Sequence, residues 1–179
     1  MLAACASAPA KTQPVEYLDE KTAATVTAVE RPIVFARDRR DLAANVRDYV
    51  TLAAAAVNRS GKISYVLIAY FWSTVDTRGA PQIVTADTIV LAVDDRRIRL
   101  TLGGTRAAEQ GIALPVHAPP HEGAVPNVYR TDLATLRYLA LGHNLALQAG
   151  ADDGAPVYQL WDDERGALAA FVKFMNGEG

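Results

Sequence analysis

The stretch YVTLAAAAVNRSGKISYVLIAYFWSTV, residues 49–75, decides the fold. Two apolar segments, Tyr49–Val57 and Lys62–Val75, flank the turn-forming quartet Asn58-Arg59-Ser60-Gly61, which predicts one long β-hairpin. Both faces of the second arm are apolar, and a strand of that kind is expected at the centre of a sheet. One face carries Tyr65, Leu67 and Phe71, and the other carries Val66, Ile68, Tyr70 and Trp72.

Shorter apolar segments on both sides of this hairpin predict further strands. They are Thr25–Glu30, Ile33–Ala36, Asp87–Val93, Arg97–Leu102, Asn127–Arg130, Asn144–Ala149 and Pro156–Trp161. Short polar turns join several of them, which favours antiparallel pairing. In the pair around Asp94-Asp95-Arg96, apolar residues alternate with Arg97, Arg99 and Thr101, the pattern of a half-exposed sheet.

Two helices are predicted in the C-terminal half. The first runs from about Asp132 to Leu141, with Thr131 or Asp132 as N-cap and Gly142 after its end. The second begins at Asp162 or Asp163 and ends before Gly177. Residues 103–126, rich in Gly and Pro, are expected to form a long connection with one helical turn.

The predicted fold is mainly β, either a β-sandwich or an α+β arrangement, with antiparallel hairpin-built sheets and two short helices. Residues 17–179 form a single globular domain in this interpretation, because 179 residues suit one domain with a tail. The periodicities place the following residues in the core: Leu67, Phe71, Leu91, Leu100, Leu136, Leu160 and Phe171.

The composition excludes several classes of function. Half of the residues are hydrophobic and the formal net charge is -2, so extensive disorder is not expected. No dense basic stripe is present, and nucleic acid is therefore not an expected partner. The longest strongly apolar run, Val66–Trp72, is too short to span a bilayer as a helix.

No catalytic motif is found. The chain has four serines, none of them in a G-x-S-x-G elbow. His117, His121 and Glu122 form a weak alternative metal set, because two imidazoles and a carboxylate lie within six residues. The intervening Pro119-Pro120 excludes the helical spacing that would bring the two rings together, so no metal and no cofactor are expected.

Charged clusters have simpler explanations than catalysis. Asp94-Asp95 and Asp152-Asp153 are predicted in hairpin turns, where Asp side chains bind nearby backbone amides. Asp162-Asp163-Glu164 is predicted at a helix start, where acids cap free N–H groups. The mixed run Arg37–Asp41 is interpreted as a solvated loop. Tyr65, Tyr70, Phe71 and Trp72 could line a cleft, but aromatic residues at strand spacing are usually core.

The one cysteine lies near the start of the chain, in Leu2-Ala3-Ala4-Cys5, and a tether of small and polar residues follows it to about residue 16. The four residues resemble the lipobox of bacterial lipoproteins, and the rest of the chain resembles uncharacterised proteobacterial envelope lipoproteins. The resemblance implies cleavage before Cys5, lipidation of its thiol and acylation of its new amino group. No basic and apolar signal segment precedes Leu2, so we expect either a removed signal or an upstream start. Ala6, by resemblance to enteric lipoproteins, implies sorting to the outer membrane, facing the periplasm.

Two functions remain open. The favoured one is a non-catalytic envelope lipoprotein, held at the membrane by lipid on Cys5, that binds an envelope protein or a cell-wall partner through a sheet surface or edge. The alternative is a periplasmic enzyme or metal-binding protein that uses residues 103–126. The alternative requires His117, His121 or a pair of carboxylates to converge in one pocket.

Overall fold

The computed structural model describes residues 12–42, 45–74, 86–104 and 106–178. Within these residues the chain forms ten strands and two α-helices, and every strand pair is antiparallel. The predicted mainly β fold is confirmed, with both helices in the C-terminal half. The elements are β1 (Val15–Asp19), β2 (Ala24–Ala28), β3 (Ile33–Asp38), β4 (Arg47–Arg59), β5 (Lys62–Ser73), β6 (Thr88–Val93), β7 (Arg96–Thr101), a 3₁₀ helix (Ala107–Gln110), β8 (Asn127–Thr131), α1 (Leu133–Leu141), β9 (Leu145–Ala149), β10 (Val157–Asp162) and α2 (Arg165–Met175).

The predicted hairpin of β4 and β5 lies at the centre of the sheet. Its register runs from Asp48↔Ser73 to Arg59↔Lys62. The turn works because Ser60 and Gly61 both adopt left-handed backbone conformations, with φ of 51° and 84°. The Asn58 side chain closes it by accepting a 2.9 Å hydrogen bond from the Gly61 N–H.

The strands form one sheet that curls back on itself. β2 and β3 both pair with one edge of β4, and β5 occupies the other edge. From β3 the order continues through β10, β9, β6 and β7, while β8 follows β5. A single bridge between Leu102 and Tyr129, with a 2.8 Å hydrogen bond from the Gly103 N–H to the Val128 carbonyl, joins the end of β7 to β8.

Apolar clusters cover both faces of the central hairpin, as its two apolar faces predict. We call the face of the larger cluster the inner face; Leu67 and Phe71 lie there, packed with both helices. The opposite, outer face carries a smaller cluster around Val66 and Ile68. Of the predicted core residues Leu160 is half-buried against the inner cluster, and the others are buried: Leu67, Phe71, Leu91, Leu100, Leu136 and Phe171.

The two helices pack against each other on the inner face. Asp132 is the N-cap of α1, and its carboxylate accepts a 2.7 Å hydrogen bond from the Thr135 N–H. The predicted start of α2 at Asp162 or Asp163 is wrong. β10 continues to Asp162, which pairs with Val34, so the helix begins only at Arg165.

Residues 103–126, which we call the cover loop, contain one 3₁₀ helix and cover part of the outer face. Ile112 is buried in the outer cluster. The carboxylate of Asp19, itself fully buried, accepts hydrogen bonds from the N–H groups of Ala113 (2.6 Å), Leu114 (2.9 Å) and Thr22 (3.3 Å). Asp19 therefore fixes the middle of the cover loop to β1.

The folded region begins earlier than the predicted boundary at residue 17. β1 starts at Val15, which pairs with Ala28, so the last two residues of the predicted tether belong to the sheet. Cys5 and most of the tether lie outside the described residues. Among the described residues no helix is long and apolar enough to cross a membrane.

Candidate functional site

The weak alternative metal set of His117, His121 and Glu122 does not come together. His117 is half-buried, whereas His121 and Glu122 are exposed, and His121 Nδ1 lies 3.0 Å from the backbone carbonyl of Glu122. The buried Nε2 of His117 makes no hydrogen bond of ordinary geometry to a described residue. Burial lowers the pKa of the His117 ring, and a weaker backbone interaction with Val29 opposes that change. Nowhere in the described part of the chain do three His, Cys, Asp or Glu side chains form a group that could hold a metal ion.

The acidic pairs have structural roles, but not all of those roles are local. Asp94 lies in the β6–β7 turn as predicted, yet its carboxylate binds the N–H groups of Asn144 (2.9 Å) and His143 (3.1 Å), about fifty residues away. These N–H groups hold the pKa of Asp94 below its usual range. Asp163 pairs with Arg165 at the start of α2, and Asp152 lies in a turn. Asp94 therefore lies in the predicted turn, but the backbone amides that its carboxylate binds lie just before β9 and not in that turn.

The charged run 37–41 is not a simple solvated loop. Arg37 belongs to β3 and donates a 2.8 Å hydrogen bond to Asp48, which also pairs with Arg39 at 3.1 Å. Asp48 is buried, and burial by itself raises its pKa. Hydrogen bonds from Arg37, Ser73 and Arg39 outweigh that effect and hold the pKa below its usual range. This network stabilises the ends of β3 and β4 on the inner face.

Three aromatic side chains, Tyr49, Trp72 and Trp161, cluster on the open part of the outer face. Tyr49 and Trp72 are register partners, and their rings stack with centroids 4.3 Å apart. Trp161 meets Tyr49 edge-on at 6.2 Å and is 56% exposed. We call these three residues the aromatic cluster. Trp161 differs from the singly exposed apolar residues because it adjoins two other rings, and a contiguous aromatic surface is typical of a binding site.

The aromatic cluster is held rigidly. The indole N–H of Trp72 donates a 3.1 Å hydrogen bond to the Thr51 hydroxyl. The guanidinium of Arg47 lies over the Trp161 ring, 4.5 Å from its centroid, and donates a 2.8 Å hydrogen bond to Asp38. Stacking and cation–π contacts of this kind each add of order 1 kcal/mol and fix the orientation of the rings. The cluster is therefore preorganised for contact with a ligand.

The local sequence explains how Trp161 reaches this face. Tyr158 and Leu160 belong to the inner cluster, and regular alternation directs Gln159 outward. The same alternation turns Trp161 outward, and because β3 pairs with both β10 and β4, through Gln159↔Ala36 and Ala36↔Tyr49, the Trp161 ring can meet Tyr49 across β3. From the sequence, Trp72 is a candidate for a cleft but is favoured as core, and neither Tyr49 nor Trp161 is identified as a candidate. The sequence does contain a signal for Tyr49. Tyr49 and Trp72 each lie ten residues from the turn pair Arg59–Lys62, so an unbroken hairpin places them opposite each other.

A groove of about 300 Å³ lies beside the aromatic cluster, on strands β6, β9 and β10. Ala92, Ala146 and Gln159 are register neighbours across these three strands. Pairing of β9 with β10 ends at Gln159↔Ala146, so the two strands diverge there and leave room. The volume is at the lower end of the range for small-ligand sites. The residues that line it are Ala92, Asp94, His143, Asn144, Leu145, Ala146, Gln159 and Leu160.

Two contacts fix the 142–144 segment at one end of the groove. Asp94 binds the backbone N–H groups of His143 and Asn144, as described above. The guanidinium of Arg165 donates hydrogen bonds to the carbonyls of Gly142 and His143. Because the backbone is held from both sides, the exposed side chains of His143 and Asn144 project from a fixed support.

Comparison with protein-family models, with curated proteins and with solved structures gives no match for this chain. The function is therefore inferred from the chemistry of the residues and from their geometry.

Proposed function

We propose that this protein is a non-catalytic binding module of the bacterial cell envelope, anchored by lipid on Cys5, which binds its partner through the open outer face around Trp161. The exposed aromatic cluster is the observation that carries the binding role. Trp, Tyr and Arg are the residue types that most often dominate binding energy. Here all three occur within one preorganised patch beside a groove.

The envelope location is supported by the sequence around Cys5. Leu2-Ala3-Ala4-Cys5 resembles a lipobox, and the tether that follows it leads into β1 at Val15. Two lipid chains suffice for stable anchoring, at about 0.8 kcal/mol for each buried CH₂. A mature lipoprotein carries three. A coil of about ten residues spans roughly 17 Å on average, and a tether of that length would keep the domain clear of the lipid headgroups.

The alternative, an enzyme or metal-binding protein that uses the cover loop, is not favoured by any contact of the described residues. The loop contributes Ile112 to the outer cluster, and Asp19 fixes it to β1. His117 is half-buried while His121 is exposed, so the two rings do not face a common space with a carboxylate. The contacts of the loop are those of a structural cover.

The binding role is tested by capture from envelope extracts. The immobilised full chain is compared with Trp161→Ala and with Phe174→Ala, which removes an aromatic side chain of similar exposure (47%) from α2. We expect Trp161→Ala to lose saturable capture and Phe174→Ala to keep it. Equal capture by all three proteins would show that the aromatic cluster is not the binding surface.

The anchor is tested separately, in a bacterial host that expresses the natural reading frame. We expect Cys5→Ser to abolish incorporation of a labelled fatty acid and to release the protein from the membrane fraction. A free Cys5 thiol in the mature wild-type protein, or a Cys5→Ser variant that stays membrane-bound, contradicts the lipoprotein assignment.

A further inference from the structure

The groove presents polar side chains that are not used by the fold. Asn144 and Gln159 are exposed, and neither side chain hydrogen-bonds to a described residue. A side-chain amide offers both donors and an acceptor, so each can bind a hydroxyl or an amide of a ligand. The ring of His143 stands next to Asn144 in the same lining.

The charges around the groove and the aromatic cluster are largely compensated. Arg47 pairs with Asp38, and the Asp94 carboxylate is satisfied by two backbone N–H groups. Among the described lining residues there is no Lys or Arg side chain to bind a phosphate group. The surface therefore suits a ligand without strong charge on its contacting part.

We infer that the ligand is the sugar backbone of the cell-wall peptidoglycan, an inference that rests on the proposed binding role of this face. A sugar ring has a flat C–H face that stacks on an indole or phenol ring, and hydroxyl and N-acetyl groups at its edges. Trp161 supplies the exposed ring, and Gln159, two residues earlier on β10, supplies the amide beside it. The combination of stacked rings with neutral amides matches this chemistry.

Other occupants fit less well. An anionic lipid or lipopolysaccharide surface requires unpaired cations, but Arg47, the cation of the aromatic cluster, is already paired with Asp38. A proline-rich peptide offers carbonyl acceptors but few N–H donors, so the oxygens of Asn144 and Gln159 would lose their water partners without replacement. A second copy of the chain would have to bury the same amides.

The test uses the full chain with Cys5→Ser, which omits the lipid. It is mixed with purified insoluble peptidoglycan for co-sedimentation, and with soluble N-acetylglucosamine oligosaccharides for calorimetry. Three further probes are lipopolysaccharide, phosphatidylethanolamine–phosphatidylglycerol vesicles and a proline-rich peptide. Light scattering reports self-association. We expect binding only to the two glycan probes, with Kd raised at least about tenfold by Trp161→Ala and about two- to fivefold by Gln159→Ala.

Phe174→Ala should bind like the parent protein, and Gln159→Ala keeps the test decisive if Trp161→Ala does not fold. No binding to peptidoglycan, or binding that neither variant changes, overturns the inference. Trp161-dependent binding to lipopolysaccharide, vesicles, the peptide or a second copy also overturns it, yet leaves this face as a binding surface. If Trp161→Ala also captures envelope material normally, the proposed function fails as well.

Discussion

Removing the carboxylate of Asp19 should loosen the cover loop from the rest of the domain. Two backbone N–H groups, those of Ala113 and Leu114, donate to it at 2.6 and 2.9 Å, and a third bond from Thr22 is longer, at 3.3 Å. A hydrogen bond to a charged group contributes about 1.5–3 kcal/mol, and here the acceptor is buried while the donor residues Ala113 and Leu114 are half-buried and exposed. We therefore expect Asp19→Ala to lower the free energy of unfolding by about 2–4 kcal/mol.

Urea unfolding at pH 7, followed by the fluorescence of the two tryptophans, measures this change. Asp153→Ala is the matched control, because Asp153 is exposed in a turn, and it should change the free energy by no more than about 0.5 kcal/mol. A loss below about 1 kcal/mol for Asp19→Ala would refute the assignment of Asp19 as the residue that fixes the loop.

The pH dependence gives a second check on the same residue. Burial raises the pKa of Asp19, but the N–H groups of Leu114, Ala113 and Thr22 outweigh it and hold the pKa below its usual range. A lowered pKa means that the stabilisation is complete above the unfolded value, about 3.9, and is lost as the pH falls below it. The difference between wild type and Asp19→Ala should therefore shrink below about pH 4. A difference that grows in acid would contradict an ionised acceptor.

Three further predictions concern the core, the buried ion network and the histidines. Phe171→Ala should lower the free energy of unfolding by about 3–5 kcal/mol because Phe171 is fully buried, whereas the exposed Phe174 should lose less than half of that in Phe174→Ala. Equal losses in urea unfolding would contradict the assigned core. Asp48→Asn should lower the free energy of unfolding by about 2–3 kcal/mol at pH 7, since two arginines lose a buried charged partner. This loss should decrease in acid, where the wild-type carboxylate is protonated, and a pH-independent loss would contradict the ion network. Metal analysis after mild purification should find no stoichiometric transition metal, and His121→Ala should fold normally, because the exposed His121 and the half-buried His117 share no ligand set. The prediction is wrong if the wild type binds one zinc ion per chain and His121→Ala does not.

The sequence predicts those parts of the fold that depend on neighbouring residues. The β4–β5 hairpin follows from its turn chemistry and its alternating side chains, and the α1 cap at Asp132 follows from local capping rules. The sequence predicts the start of α2 too early, because an acidic run at a strand end resembles the acidic run of a helix start. The pairing of Asp162 with Val34 makes this acidic run the end of β10.

The candidate site was much harder to predict, because it combines distant segments. Local alternation turns Trp161 outward, but Trp161 meets Tyr49 only because β3 pairs with both β10 and β4, and that pairing is not encoded near Trp161. Asp94 likewise binds the backbone at His143 and Asn144 because β6 lies beside β9. Local turn preference cannot anticipate such contacts, since they exist only once the sheet has formed.

The contact between Leu102 and Tyr129 has a dynamic consequence. Elsewhere around the curl, neighbouring strands share at least three register pairs, but between β7 and β8 the described residues share this one bridge and the Gly103 hydrogen bond. We call this contact between β7 and β8 the seam. The free energy of local opening depends on how many hydrogen bonds must break together, so the seam should open first. Tyr129, one of the two bridge residues, is fully buried, and its hydroxyl donates a 2.6 Å hydrogen bond to the Ala86 carbonyl. Transient opening of the seam would admit water to that hydroxyl while the central hairpin stays intact, and amide exchange at Gly103 should be among the fastest in the sheet.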